Sequence, residues 1–430
     1  MLHDNINVQN GHLTFASADT VALAKEYGTP LMLLDEERIR QRIRMYKREM
    51  TRLFGQDTGP LFAGKSLCFK GIYRLAREED IRIDIVSPGE LFTAYEAGFP
   101  MERAFFHGNN KTDRDVAFAM EHRIGYFVAD SREELEAISA EASRRGITQK
   151  ILLRITPGID PHTHAAITTG KVDSKFGAPI ETGQAEELVA YALSLEGVAL
   201  EGLHCHIGSQ IFEAEPFCRT AEIMVRFLAM IRSKYRCALP LLNLGGGFGV
   251  RYVESDPIPD YPALLEAVAG CVHKTAEACK TPMPTILMEP GRSLVADAGM
   301  TLYEVGTVKT IPGYKSYVSV DGGMADNPRY ALYGSAYTFY LANRPCDPCD
   351  LVCTVAGRCC ESGDLVGEGV SLPHPKRGEI LAVAVTGAYN YAMASNYNRL
   401  PRPAVLWVRD GRATVAVRRE TYADLIRLDE

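Results

Sequence analysis

The chain has 430 residues, 46% of them hydrophobic, enough for one large core plus a second domain, and this composition excludes a disordered chain. Its net charge of −7, from 47 Lys+Arg against 54 Asp+Glu, comes without a run of like charge; nothing in it suggests a nucleic-acid surface, and a small-molecule partner is expected. No basic segment leads an apolar run at "MLHDNINVQNGHLTF", and no stretch approaches the roughly 20 apolar residues of a membrane span, so the expected location is cytoplasmic.

The first 30 or so residues carry one β-type turn at "NGHLTF", expected to add a strand to a domain formed later in the chain. From about residue 59 to 291, short apolar runs alternate with helical stretches. The runs are "LFAGK" (61–65), "IDIVS" (83–87), "FFHGN" (105–109), "YFVAD" (126–130), "ILLRITP" (151–157), "LEGLHCHIG" (200–208), "LLNLGGG" (241–247) and "TILMEPG" (285–291). Helices are expected between them, among them "SREELEAISAEASRRG", which opens with a Ser-x-x-Glu capping box, and "PGELFTAYEAG" after Ser87. Eight strand–helix units with near-continuous apolar strands predict an α/β fold, a (β/α)8 TIM barrel; a doubly wound open sheet shares the same alternation. Nearly every run ends on a polar residue or glycine: Lys65, Ser87, His107 and Asn109, Asp130, Arg154, His206 and Ser209, Gly245–Gly247, Glu289 and Arg292. In a barrel these face one mouth, where active sites of this architecture lie.

Beyond about residue 300 the helical signal fades, and "LYEVGTVKTI", "KSYVSVDGG", "LVCTVAGRCC", "EILAVAVTGAY" and "AVLWVRDGRATVAVRRET" predict a second, C-terminal antiparallel β domain, the last run turning at Asp410-Gly411. The expected division is 35–295 for the barrel and 1–34 plus 296–430 for a β-sandwich or barrel-like domain.

In "LLNLGGGFGVRY" the glycines let backbone N–H groups approach an anion. The spacing does not match a dinucleotide fingerprint, and a tight turn alone would look the same. The next strand closes on "MEPGRS", adding Gly291 and Arg292, and two adjacent glycine turns with an arginine make a phosphate cup. Glu289 ends that strand where it would meet the ring nitrogen if the phosphate belongs to pyridoxal 5'-phosphate. Lys65 either reaches solvent along its stem or enters the site as the lysine that binds such a cofactor. His204 and His206, two apart on a strand, share a face; they read as a metal pair with no third ligand spaced to complete it, or as an imidazole stacked on a ring with Ser209 at the phosphate. His162 and His164 read as polar loop residues. The eleven cysteines, odd in number and scattered, argue against a disulfide framework; Cys205, Cys237, Cys271 and Cys279 read as small buried hydrophobes. Cys346, Cys349 and Cys353 lack the matched pair a zinc cluster needs, because Cys359 and Cys360, read as adjacent strand residues, point to opposite faces. No metal is expected.

Taken together, "IDIVSPGEL", "FFHGNNK", "LLRITPG", "TGKVDSKFG", "GLHCHIGSQIF", "NLGGGFG", "MEPGRSLV", "VDGGMADNPRYALYGSAY", "CCESGD" and "TGAYNYAMASNYNRLPRP" closely resemble the diaminopimelate decarboxylases. These are pyridoxal-phosphate enzymes with an alanine-racemase-like barrel and a C-terminal β domain, acting last in bacterial lysine biosynthesis. The resemblance implies Lys65 as the cofactor lysine, His206 on its ring, Ser209, Gly247 and the "EPGR" turn (Gly291, Arg292) on its phosphate, Glu289 on its ring nitrogen, and Tyr389 near phosphate and substrate. It implies Arg292, Arg329 and Tyr333 at the distal carboxylate of meso-diaminopimelate, Glu361 at its distal amine, and Cys360 as the proton donor. Cys360 and Glu361 would come from a neighbouring subunit, making a homodimer with shared sites. Where the family has Tyr-Ala-x-Lys-Ala-Asn around the lysine, this chain has "FAGKSLC". Arg329 and Tyr333, four apart, fall side by side on a helical turn, which distinguishes this reading from a decarboxylase of lysine, ornithine, arginine or a D-amino acid; an exposed surface turn has the same spacing. Glu289 disfavours a racemase, and Lys65 with Cys360 disfavour a catalytically silent homologue.

Overall fold

The computed structural model describes residues 1–159 and 173–430; His162 and His164 lie outside the described residues. The chain divides into two compact units, Arg42–Gly249 with Pro259–Gly291, and Met1–Gln41 with Val250–Ile258 and Arg292–Glu430.

The first unit holds eight parallel strands: β1 (Gly59–Ala63), β2 (Arg82–Ile85), β3 (Ala104–Phe106), β4 (Tyr126–Ala129), β5 (Gln149–Thr156), β6 (Val198–His204), β7 (Leu241–Asn243) and β8 (Thr285–Met288). Each pairs with the next, β4 with β5 through Tyr126↔Lys150 and β8 with β1 through Leu287↔Gly59, so the sheet closes. Leu61, Phe105, Val128, Leu152 and Leu287, from five strands, form a buried cluster, each side chain contributing roughly 2 kcal/mol of transfer free energy. All eight expected strands are present, and most end before their expected limit. Apart from Arg154, which lies inside β5, the polar residues that bounded the runs fall beyond the strands. Lys65 sits on a 3-10 turn, Gly64–Ser66, two residues beyond β1.

Ser87 and Ser131 cap the helices Pro88–Glu96 and Arg132–Arg145, accepting from the backbone N–H of Glu90 at 3.1 Å and Glu134 at 3.2 Å. The reciprocal half of the capping box expected at Ser131 is diverted. Glu134 receives Lys111 Nζ at 2.6 Å and the Asp130 N–H at 3.3 Å, because a buried lysine needs a counter-charge more than an N-cap amide needs a second acceptor.

The second unit is built on a mostly antiparallel sheet running 365–372, 351–356, 315–320, 299–311, 31–35, 404–409 and 412–417, with 380–384 and 339–341 alongside. Two of its pairings are parallel, 315–320 with 351–356 and 404–409 with 31–35. The hairpin at Asp410-Gly411 turns with φ of 49° and 75°, the positive pair that a two-residue turn requires. "NGHLTF" enters a small sheet of its own, 6–9, 12–15 and 18–19; the N-terminal strand that joins the larger sheet is Leu31–Asp35. Among the described residues no helix is long and apolar enough to cross a membrane.

Candidate active site

At the barrel mouth the glycine turn is held backbone against backbone. A Cβ on Gly245 would lie 2.3 Å from the Cys205 carbonyl, on Gly246 2.1 Å from the Glu289 carbonyl, and on Gly247, at φ +118°, 2.5 Å from the Gly208 carbonyl. A Cβ on Gly291 would lie 2.8 Å from that of Ala63. No other residue fits these positions, and the result is a cradle lined by main chain. His206 stands beside it, its Nδ1 accepting from the Gly246 N–H at 3.3 Å. Burial, then the charge of Lys65, holds this imidazole well below its usual range. Ser209 is half-buried and Lys65 exposed.

Glu289 follows β8 and is 7% exposed. Asn243, the last residue of β7, donates Nδ2 to Oε1 at 2.7 Å, His204 Nε2 approaches Oε2 at 3.1 Å, and His107 Nε2 lies 2.9 Å from Oε1. Burial alone would raise this carboxyl, but the two imidazoles outweigh it and hold it well below the carboxylate range. Burial pushes the His204 imidazole down to about 4. The carboxylate that sequence spacing could not supply to the His204/His206 pair thus comes from another strand, together with a third imidazole, and both meet His204 only. β6 ends at His204, so the two-residue period does not extend to His206. Asp84 on β2, 3% exposed, has its carboxyl raised by burial, and burial pushes Glu90 up to about 7.

The second unit holds a different constellation. Arg292 and Arg329 are 4% and 7% exposed. Arg292 donates Nη1 to the Tyr252 hydroxyl at 2.8 Å, and its guanidinium lies 4.8 Å from the Tyr389 ring centre. The Arg329 guanidinium lies 5.6 Å from both the Tyr333 and Tyr389 rings and 5.9 Å from Tyr252. The helical turn Arg329–Tyr333 therefore pairs these side chains as their spacing predicts. Arg329 donates to the Ser335 hydroxyl at 3.1 Å, and among the described residues its buried Nε has no hydrogen-bond partner and its guanidinium no ion pair. Burial pushes the nearby Tyr337 phenol up to about 12, so it supplies no counter-charge. Tyr389 is held at φ +61°.

Cys359 and Cys360 lie in a bend beyond the strand Leu351–Ala356, not on a strand as expected. Their opposite exposure arises from the bend: Cys359 is buried and Cys360 exposed. Buried Asp364 organises the segment, accepting from the Cys359 N–H at 2.7 Å and the Met324 N–H at 2.6 Å, while Asn398 Oδ1 accepts from the Cys360 N–H at 2.7 Å. The segment is tied down from inside, with the Cys360 and Glu361 side chains turned outward. Of the cysteines expected to be buried, Cys205 is; Cys237, Cys271 and Cys279 are half-buried. Cys346 and Cys349 are exposed and Cys353 is buried.

The expected site residues thus fall into two sets. Lys65, His206, Ser209, Gly247, Glu289 and Gly291 belong to the barrel unit, and Arg292, Arg329, Tyr333, Cys360, Glu361 and Tyr389 to the other. Sequence reasoning placed His107 at the mouth and weighed His204 only as a metal ligand or stacked imidazole, not as a partner of Glu289, and assigned no role to Asn243 or Tyr252. The one available signal was that the first three end or follow strands at the same mouth.

Residues 36–296 match the family described as pyridoxal-dependent decarboxylase, pyridoxal binding domain. The chain is 45% identical to the diaminopimelate decarboxylase of Bacillus subtilis over 98% of its own length and 96% of the relative's. It is 42% identical to that of Staphylococcus aureus, covering 97% of each. The crystal structure of M. jannaschii diaminopimelate decarboxylase in complex with L-lysine superposes with a TM-score of 0.90 at 32% identity, covering 99% of this chain and 98% of that one.

Proposed function

The chain belongs to the pyridoxal-dependent decarboxylases and, among them, to the diaminopimelate decarboxylases, and on that premise we propose that it converts meso-2,6-diaminopimelate to L-lysine and carbon dioxide, the last step of bacterial lysine biosynthesis, in the cytoplasm. Its cofactor is pyridoxal phosphate. The residues present fit that group: a glycine turn packed too closely on neighbouring carbonyls to admit a Cβ, a buried anionic carboxylate at the next strand end, and a lysine on the turn after β1. Lys65 would hold the cofactor, His206 would cover its ring, and Ser209, Gly247, Gly291 and Arg292 would hold its phosphate, with Tyr389 beside it. When bound, the cofactor supplies an electron sink for the charge left as carbon dioxide departs.

The observation that carries the substrate assignment is Arg329, a buried cation with no ion pair among the described residues. A guanidinium in such surroundings is costly unless a carboxylate meets it. A substrate with a distal carboxylate supplies that partner; lysine and ornithine have only an ammonium there. Arg292, Arg329 and Tyr333 would orient the distal carboxylate, and Glu361 would accept the distal ammonium. Cys360 would hold the proton delivered to Cα, which a thiol near a cationic site can do. Because its side chain faces outward with that of Glu361, we assign both to the site of a second subunit in a homodimer. The functional division that follows is a cofactor-binding barrel over 35–295 and a β domain over 1–34 plus 296–430.

Carbon dioxide release from meso-diaminopimelate, L-lysine and L-ornithine, with the absorbance of lysine-bound pyridoxal phosphate, tests the reading. Release from diaminopimelate alone is expected; preference for ornithine would overturn the substrate. Mixing Lys65→Ala with Cys360→Ala subunits should restore about a quarter of the activity if sites are shared across a two-fold axis, and none if each subunit is self-sufficient.

A further inference from the structure

The surroundings of Glu289 are specified atom by atom. Asn243 Oδ1 accepts from the Gly245 N–H at 2.9 Å, which fixes the amide orientation and leaves Nδ2, a donor only, aimed at Glu289 Oε1. His204 is 1% exposed, and its buried Nδ1 has no hydrogen-bond partner among the described residues. A neutral imidazole there satisfies Glu289 only with its proton on Nε2, 3.1 Å from Oε2. His107 Nε2 stands 2.9 Å from Oε1, off the hydrogen-bond direction, and its ring meets that of His204 edge-on at 4.7 Å. Asp84 on β2 and Arg154 on β5 also act on Glu289 through space, with opposite signs.

A carboxylate has about four lone-pair positions. Two are addressed by Asn243 and His204, and His107 crowds Oε1 without a hydrogen bond, so room for a ligand's hydrogen bond remains. A carboxylate that accepts two or three N–H donors is a poor base, whereas the same group buried without them becomes a good one. The number of donors on Glu289 therefore decides which side of the remaining hydrogen bond keeps the proton.

We propose that His204 and Asn243, assisted by His107, are positioning residues that keep Glu289 a weak base, so that the proton it shares with the ring nitrogen of pyridoxal phosphate stays on the ring. The inference rests on the reading that Glu289 meets that nitrogen. It implies that the electron-withdrawing strength of the bound cofactor is set one layer behind the carboxylate.

The test is the ring-nitrogen chemical shift of holoenzyme reconstituted with 15N-labelled pyridoxal phosphate. In the wild-type enzyme the shift should be that of a protonated ring throughout the range from about pH 5 to about pH 9; a deprotonation near neutrality would overturn the proposal without any variant. His204→Leu should move the shift toward the unprotonated value and lower kcat by about 100-fold with KM little changed. His204→Gln, which returns an N–H near the lost one, should recover most of both. If Glu289→Gln moves the shift but His204→Leu and His107→Leu leave it at the wild-type value, the clamp is wrong and the assignment of Glu289 stands. If Glu289→Gln also leaves it unmoved, Glu289 does not meet the ring nitrogen.

Discussion

Glu289 and Arg329 are both buried charges, and they are treated in opposite ways. Glu289 is an anion already met by Asn243, His204 and His107. Arg329 is a cation with aromatic faces around it and, among the described residues, a hydroxyl to donate to and no anion. The first charge is compensated by the protein's own side chains, which on the proposed reading suits a group that must keep one protonation state through every turnover. The second is complete only with a ligand, and a buried charge left in deficit is a means of selecting for the molecule that relieves it.

Removing the unsatisfied cation breaks this contrast most sharply. Arg329→Met should raise KM for meso-diaminopimelate about 100-fold or more, since losing one partner of a buried charge pair costs about 3 kcal/mol, with a smaller change in kcat. The same substitution should stabilise the ligand-free protein by about 1 kcal/mol, because it deletes an uncompensated charge. Calorimetric unfolding checks the sign. A fall in Tm would mean that the aromatic faces alone satisfy the guanidinium.

Acid tests the satisfied side. The His204 imidazole is held at about 4 against 6.5, so between these values the unfolded chain binds a proton that the folded chain does not. Stability should fall as pH drops from about 6.5 toward about 4, by up to about 3 kcal/mol from this group, and should be insensitive to it above. Glu289 works in the same direction at more acid pH, because its depressed carboxyl stabilises the fold only while ionised. Urea titrations across that range should steepen in this way and flatten in His204→Gln.

The smallest stability effect is expected at Cys360, exposed on a bend fixed by other groups. Cys360→Ala should change stability by less than about 0.5 kcal/mol while lowering kcat and leaving KM for meso-diaminopimelate near its wild-type value. Unchanged turnover would remove the thiol from the reaction.

The barrel was legible because eight apolar runs, each closed by a polar residue or glycine, are what strands buried on both faces require. Their ends were not, because Lys65 and Glu289 lie in turns that continue the strand's chemistry after its hydrogen bonding stops. The pairing of Arg329 with Tyr333 could be read from a spacing of four, a local property of one helical turn. The gathering of His107, His204 and Asn243 on Glu289 depends on the order of strands in a closed sheet, which no local spacing encodes. The opposite exposure of Cys359 and Cys360 was expected for the wrong reason: it follows from Asp364 bending the chain rather than from strand alternation.

The glycine turn has a consequence for how such an enzyme can change over time. At Gly245, Gly246 and Gly247 the space a side chain would need is held by carbonyls of neighbouring strand ends, so the cradle offers almost no viable single substitutions. Its inheritance is all or nothing. On the proposed reading of the site, drift in what this scaffold accepts must then accumulate around residues such as Arg329 and Tyr333, where side chains rather than main chain would do the recognising. A lineage could exchange substrates many times there while the main-chain cradle stayed as it is.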